Sequence, residues 1–380
     1  MRYIRFLKTP RNVHEKNSTN CHISCLITIT SDLGDSFIPN HVTLSAELCS
    51  ESSGEVLVKS TVQWTAGMRS LPISLAFNER RHSFPVLVRV GVMQRSSYDD
   101  YNILSAPNVC GVVSAWSAPL YLANGAKQAV KLVERRFSSS GERNIRIWEE
   151  TGESIARHLW DAGITLSCCL NEIVDKENAG GRETLAKVLR TPKGKERLQV
   201  LELGTGCGMV GITIAQRVVN ADIILTDLPE AEEIVQKNMT QATLAKDSTL
   251  SFQTLDWEIE LPRELNSSSE CPHCTQLDLI VAADCTYNPD SSPALVKTMS
   301  RLAQSSPNSV IVVAMKMRHS SEEIFFSLMS KAGFTTTDPI PFPLPGDEIQ
   351  GEEVVYVHLY RYKPSDRYIE ASPNESCLAR

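Results

Sequence analysis

Residues 201–211 read Leu-Glu-Leu-Gly-Thr-Gly-Cys-Gly-Met-Val-Gly, at the end of one apolar run and the start of a helical pattern. Glycines in that context allow a tight turn and bring backbone N–H groups and a helix N-terminus up to a ligand. Gly206, Gly208 and Gly211 match the spacing of a dinucleotide-binding turn, which is a weak signal by itself. Asp227 closes the next apolar run and is placed to hold ribose hydroxyls, whichever nucleoside is bound. Glu202 separates the ligands, because a carboxylate beside the turn repels a pyrophosphate and suits a cationic group. No Gly-Lys-Ser or Gly-Lys-Thr follows, so a nucleoside-triphosphate loop is excluded.

A second constellation, Asp284-Cys285-Thr286-Tyr287, follows the apolar run 277–283. In a parallel sheet it leaves the same edge as the glycine turn, and its i, i+3 spacing can bring a carboxylate and a phenol together. Asn288-Pro289-Asp290-Ser291 comes next and supplies helix caps, so a helix-entry turn is the structural alternative. S-adenosylmethionine (SAM) is a nucleoside with an ammonium, a sulfonium and no phosphate, and it meets the demand made by Glu202. Cys271-Pro272-His273-Cys274 has a metal-like spacing but no second pair to close a zinc tetrahedron. It reads as a loop insertion, and no metal is expected.

With Asp256-Trp257 between them and Trp148 upstream, these motifs together resemble class I, seven-strand SAM-dependent methyltransferases. More narrowly the chain resembles the family-16 group of protein-lysine methyltransferases, and within it the branch that modifies valosin-containing protein. The resemblance covers 145–362 apart from the 175–197 stretch. It implies SAM as cofactor, with Gly204, Thr205 and Gly206 along its methionine and ribose and Asp227 on the ribose hydroxyls. It further implies Trp257 beside the adenine, Ala283 in backbone contact, and Trp148 closing over from the N-terminal side. Glu202 is the expected partner of the cationic part, and Asp284 and Tyr287 are the expected catalytic pair, aiming a lysine amine of a protein acceptor.

These residues require a particular scaffold. The runs 198–203, 223–226, 250–255, 277–283, 310–315 and 354–360 alternate with helical patterns near 209–219, 229–244, 291–304 and 321–332. Apolar strands alternating with helices predict a mostly parallel α/β sheet covered on both faces, Rossmann-like in type. Upstream, short β-branched runs separated by Gly and Pro turns predict an all-β, sandwich-like domain over 20–137. The segment 124–137 reads as a short helix, 138–141 as a flexible junction, 148–162 as a helix and 175–197 as an insertion. The domain bounds are therefore 20–137 and 145–362, with a disordered tail at 363–380.

The chain has 380 residues, 42% hydrophobic and 22% charged, which is an ordinary globular balance. Its formal net charge of −7 disfavours nucleic acid as partner. No apolar run is long enough to span a bilayer. Eleven cysteines, an odd count, suggest a reducing, cytoplasmic setting, with the nucleus also compatible. Rival functions are SAM-dependent methylation of a small molecule or another acceptor, and a nicotinamide-dependent oxidoreductase. The β-rich domain is expected to recruit the acceptor protein. A weaker alternative, a calcium-dependent membrane module, rests on Asp32, Asp35, Asp99 and Asp100 near predicted loops.

Overall fold

A computed structural model describes residues 1–14, 21–78, 84–92, 97–121, 128–138, 144–151, 155–175, 183–190, 197–262, 265, 276–346 and 353–363. The Cys-Pro-His-Cys segment, positions 139–141 of the expected junction and the expected tail lie outside the described residues. The first part of the chain is β-rich. Strands β1 (Arg2–His14), β2 (Cys21–Thr30), β3 (Val42–Ser50), β4 (Val56–Trp64), β5 (Leu71–Phe77) and β6 (Val86–Val92) come first. The short helix α1 (Tyr101–Leu104) and strands β7 (Val112–Val113), β8 (Ala115–Ser117), β9 (Leu132–Phe137) and β10 (Ile145–Glu150) complete it. They form two sheets, β5-β2-β1-β7 and β10-β9-β8-β6-β3-β4. Edge strand β5 shows the expected alternation, with Ile73, Leu75 and Phe77 buried between exposed Pro72, Ser74 and Ala76. Pro72 is tolerated because an edge strand leaves one side unpaired.

The α/β part follows. Helices α2 (Asp161–Asp175) and α3 (Glu183–Leu189) lead into β11 (Leu198–Leu203), α4 (Met209–Arg217), β12 (Ala221–Asp227), α5 (Glu232–Gln241) and β13 (Thr249–Thr254). Then come β14 (Leu279–Ala283), α6 (Ser292–Ser305), β15 (Val310–Lys316), α7 (Ile324–Lys331), β16 (Phe334–Thr336), β17 (Ile340–Pro343) and β18 (Val354–Tyr362). The sheet runs β13-β12-β11-β14-β15-β18-β16, with β17 also paired to β18. The first five of these strands are parallel, and β18 is antiparallel to β15. Period-two alternation divides the strand side chains between the faces. Val200, Ile223 and Val281 join the core that holds α2 and α4, while Leu201, Ile280 and Val313 join the core under α6 and α7. The order reverses between β11 and β14, so a crevice opens where those strands end.

Several expectations are corrected. The β-rich sheets begin with β1, ahead of residue 20, and β10 (145–150) is hydrogen-bonded to β9, so the two units meet within a shared strand pair. Of the segment expected to be helical at 124–137, residues 132–137 are strand β9. Its charges pair within the sheet: Glu134 binds Arg136 on its own strand and Arg146 across the ladder, and the buried Arg135 binds Glu149. The helix expected over 148–162 runs instead over 161–175, and the 175–197 stretch contains α3. The four aspartates suspected of binding calcium have other partners. Asp32 pairs with Lys316 and Arg318, Asp35 with Ser31, and Asp99 with Ser114, while Asp100 caps α1.

The two units share one core. A single apolar cluster contains Ile4, Leu44 and Val88 of the sandwich together with Ile164, Val210 and Ile214 of the α/β unit. Gly111 and Gly346, both at positive φ, pack so closely that a Cβ on Gly111 would lie 2.3 Å from the Pro345 carbonyl oxygen. Glu149 fastens the crossover. Its carboxylate takes Arg135 Nε at 2.7 Å and the backbone N–H of Leu159 at 2.9 Å. Arg135 is wholly buried, so removing its counter-charge strands a cation. Glu149→Ala is expected to lower the unfolding free energy by about 3–5 kcal/mol in urea denaturation at neutral pH. A loss within experimental error would show that Arg135 finds other compensation.

Candidate active site

The glycine turn connects β11 to α4. Gly204, Gly206 and Gly208 have φ of +62°, +56° and +83°. A side chain at 204 is excluded twice, since its Cβ would also sit 2.6 Å from Cys285 Sγ. Glu202 lies beneath the turn, 2% exposed. One of its carboxylate oxygens accepts from Thr205 Oγ1 and from the Gly211 N–H, both at 2.8 Å. It is therefore a brace for the turn and does not face the cleft, contrary to its expected role. Thr205 is likewise turned inward, bonded to Glu202 and through its N–H to the Thr226 carbonyl. Asp227 is tied to the turn from the side, accepting from the N–H groups of Gly206 and Leu228, both at 2.7 Å.

A cleft of about 550 Å³ opens at this point, at the ends of β11, β12 and β14. Gly204, Gly206, Asp227, Trp257, Ala283, Asp284 and Tyr287 all line it, so the structure brings together seven of the ten residues singled out in the sequence. Trp148 is not among them. Its indole N–H donates to Gln241, Lys237 lies 4.8 Å from its ring, and it borders a different cleft with Tyr121 and Val130. Only its backbone serves the turn. Asn238 bonds both the N–H and the carbonyl of Trp148 and also the Cys207 carbonyl, which locks β10 to the glycine loop.

The aromatic residue contributed from the N-terminal side is Trp160, which the sequence reading missed. Beside it stands Arg318, 5.4 Å from the Trp160 ring and bonded to Asp284 at 2.8 Å. The other Asp284 oxygen accepts the Ala162 N–H at 2.8 Å. Asp284 itself has φ +54°, which turns the chain sharply out of β14 and puts the carboxylate at the cleft wall. Burial raises its pKa and Arg318 opposes that rise. Tyr287 presents a ring that is about half exposed. Lys316 and Arg318 sit at the end of β15, on the same sheet edge as Asp284, and that strand-exit position was the one sequence signal that could have found them.

The electrostatics of the cleft select its ligand. Asp227, Glu230, Asp256, Glu258 and Asp284 line it, and no Lys, Arg or His does among the described residues. Such a wall repels a pyrophosphate and attracts a cation, which weighs against the nicotinamide alternative. The fit to SAM is good on this chain's own features. Each Asp227 oxygen has given only one acceptor site to the backbone and keeps another for a hydroxyl. The buried indole N–H of Trp257 has no hydrogen-bond partner among the described residues, although its ring forms part of the cleft wall.

Comparison with known proteins agrees with this geometry. A family model described as lysine methyltransferase matches residues 139–332, just over half of the chain. A UPF0665 family protein of Schizosaccharomyces pombe is 27% identical over 336 residues, covering 86% of this chain and 91% of that protein. The protein-lysine N-methyltransferase EFM3 of Chaetomium thermophilum is 28% identical over 228 residues, 58% of this chain and 56% of its own. EEF1A lysine methyltransferase 3 of Mus musculus is 29% identical over 209 residues, 54% and 72% respectively.

Glu202 makes a pH-dependent contribution that can be isolated. Burial pushes its carboxyl up to about 7, against the pull of the Thr205 and Gly211 hydrogen bonds. An unfolded glutamate titrates near 4.3, so between roughly pH 4.3 and 7 the folded state holds a proton that the unfolded state has released. The stability supplied by that proton is complete below the unfolded value and lost as pH rises through the folded one. Glutamine keeps an acceptor oxygen and does not titrate. Glu202→Gln should therefore gain roughly 2–3 kcal/mol relative to the parent between about pH 5 and pH 8, read from urea midpoints. A constant difference across that range would mean that Glu202 titrates normally.

Proposed function

The chain belongs to the lysine methyltransferase family, and on that premise we propose how its residues carry out the reaction. It is a SAM-dependent enzyme that methylates lysine in a protein substrate. SAM, when bound, supplies a methyl group activated by its sulfonium. In our reading Asp227 holds the ribose diol, Gly204 and Gly206 admit the methionine portion along bare backbone, and Trp257 and Ala283 border the adenine. Glu202 and Thr205 hold the turn in shape. The observation that carries this assignment is that every charged residue lining the cleft, among the described residues, is acidic, which suits both a sulfonium nucleoside and an incoming lysine ammonium.

The acceptor nitrogen must present a lone pair, yet lysine in water has a pKa of about 10.4. Entry beside the Trp160 and Tyr287 rings strips water from the ammonium and favours its neutral form. Asp284 orients the nitrogen through lone pairs left over from Arg318 and Ala162. The proton leaves to solvent, since no histidine lines the cleft among the described residues. We further read the sheet as that of the seven-strand class, with β17 an added edge segment. The β-rich unit is proposed to help hold the acceptor protein. Its 31–36 loop forms one wall of a second cleft of about 390 Å³, shared with Lys316, Arg318 and Glu353.

Two substitutions test the assignment. Asp227→Ala should weaken SAM binding in calorimetry by about tenfold or more, because charge-assisted hydrogen bonds are worth roughly 1.5–3 kcal/mol. Asp284→Ala should leave that affinity intact and lose most of the transfer of label from tritiated SAM to proteins of a cell extract. Unchanged affinity in the first would displace the ribose from Asp227. Near-normal transfer in the second would reduce the Asp284–Tyr287 turn to a structural one.

A further inference from the structure

Arg318 is shared. Its Nη1 bonds Asp284 at 2.8 Å and its Nη2 bonds Asp32 of the β-rich unit at 2.6 Å, across 286 positions of sequence. All three side chains are shielded, at 3% exposure for Asp284, 1% for Asp32 and 10% for Arg318. The third fixed side of the guanidinium is the Trp160 ring. Asp32 is itself anchored, because the Leu33 N–H donates to its Oδ1 at 3.0 Å and Lys316 Nζ lies 3.4 Å from the same oxygen.

A guanidinium facing a single carboxylate binds it with two parallel N–H groups, which consumes lone pairs on both oxygens. Here that arrangement is prevented, since the second amino group is held by Asp32. Asp284 thus meets Arg318 through one oxygen and Ala162 through the other, and keeps a lone pair on each.

We infer that Asp32 is a positioning residue of the active site: it holds Arg318 to a one-handed grip on Asp284 and so leaves that carboxylate available to the acceptor amine. The inference rests on the reading of Asp284 given above. It makes the β-rich unit part of the catalytic apparatus, through a residue that acts by way of Arg318 and does not line the cleft at the glycine turn.

The test uses the full chain, tritiated SAM at saturation and a cell lysate titrated as acceptor. Asp32→Asn keeps the size and removes the charge, while Lys316 retains Asp161 and Glu353 as partners. It should leave SAM affinity unchanged in calorimetry and lower the maximal labelling rate about tenfold or more, with the half-saturating lysate concentration within about twofold. Asp32→Glu, which keeps the charge, should retain most of the rate and covers the case in which the asparagine variant folds poorly. The decisive variant is the double one. Asp32→Asn with Arg318→Gln removes the cation that would clamp Asp284, so it should recover several-fold over Asp32→Asn alone. A merely structural role for Asp32 predicts a double variant no better than the single. That result, or a near-normal rate for Asp32→Asn while Asp284→Asn is inactive, overturns the inference alone. Full activity of Asp284→Asn would overturn the underlying reading of the site and the inference with it.

Discussion

Charge buried between two folded units governs this molecule. Where the sandwich meets the α/β sheet, Asp161, Lys316, Asp32, Arg318 and Asp284 form a chain in which each pairs with the next, and their side chains are largely shielded from water. Tyr3 Oη donates to Asp161 at 2.7 Å, adding a neutral partner from the first strand. Ions removed from water are tolerated only when each has its counter-charge and its hydrogen bonds. The β-rich unit supplies some of those partners, so the sheet end that carries the chemistry is complete only when both units are folded together.

That requirement explains why the boundary between the units is so hard to place along the chain. Strand β10 pairs with the sandwich through β9, yet its Glu149 accepts the backbone of Leu159 and its Trp148 backbone is tied through Asn238 to the glycine loop. One short segment thus stabilises a ladder on one side and a ligand turn on the other. The crossover is a shared structural element with few degrees of freedom, and the continuous apolar cluster on either side of it is the energetic reason the units stay together.

At the cleft, two kinds of carboxylate serve opposite purposes. Glu202 is removed from solvent, holds the turn and is pushed toward neutrality by burial. Asp227 and Asp284 are each bonded on both oxygens yet still face the cleft, so the backbone fixes their direction and leaves acceptor capacity for a ligand. The difference follows from where each strand ends. Glu202 stands two residues before the first glycine, with its side chain directed under the turn, whereas Asp227 and Asp284 stand at strand exits and look outward over the sheet edge.

The local chain was sufficient to read what local geometry decides. Glycines clustered between an apolar strand and a helix point to a ligand turn, and Asp227, Trp257, Ala283, Asp284 and Tyr287 follow because each lies at or just past the end of a parallel strand at the same edge. Residues 132–137 form a strand rather than the expected helix because their Glu and Arg side chains find partners on β10, which lies beyond the local chain. Trp148 was preferred to Trp160 because side-chain direction at the crossover depends on strand pairing rather than on order along the chain. The pairing of Arg318 with Asp32 was beyond sequence reading, although Arg318 stands just past a strand end. A salt bridge between residues 286 positions apart leaves no periodicity and no spacing in the chain. Only the packing of the sandwich against the sheet, which buries both charges and forces them to find each other, decided that they meet at Asp284.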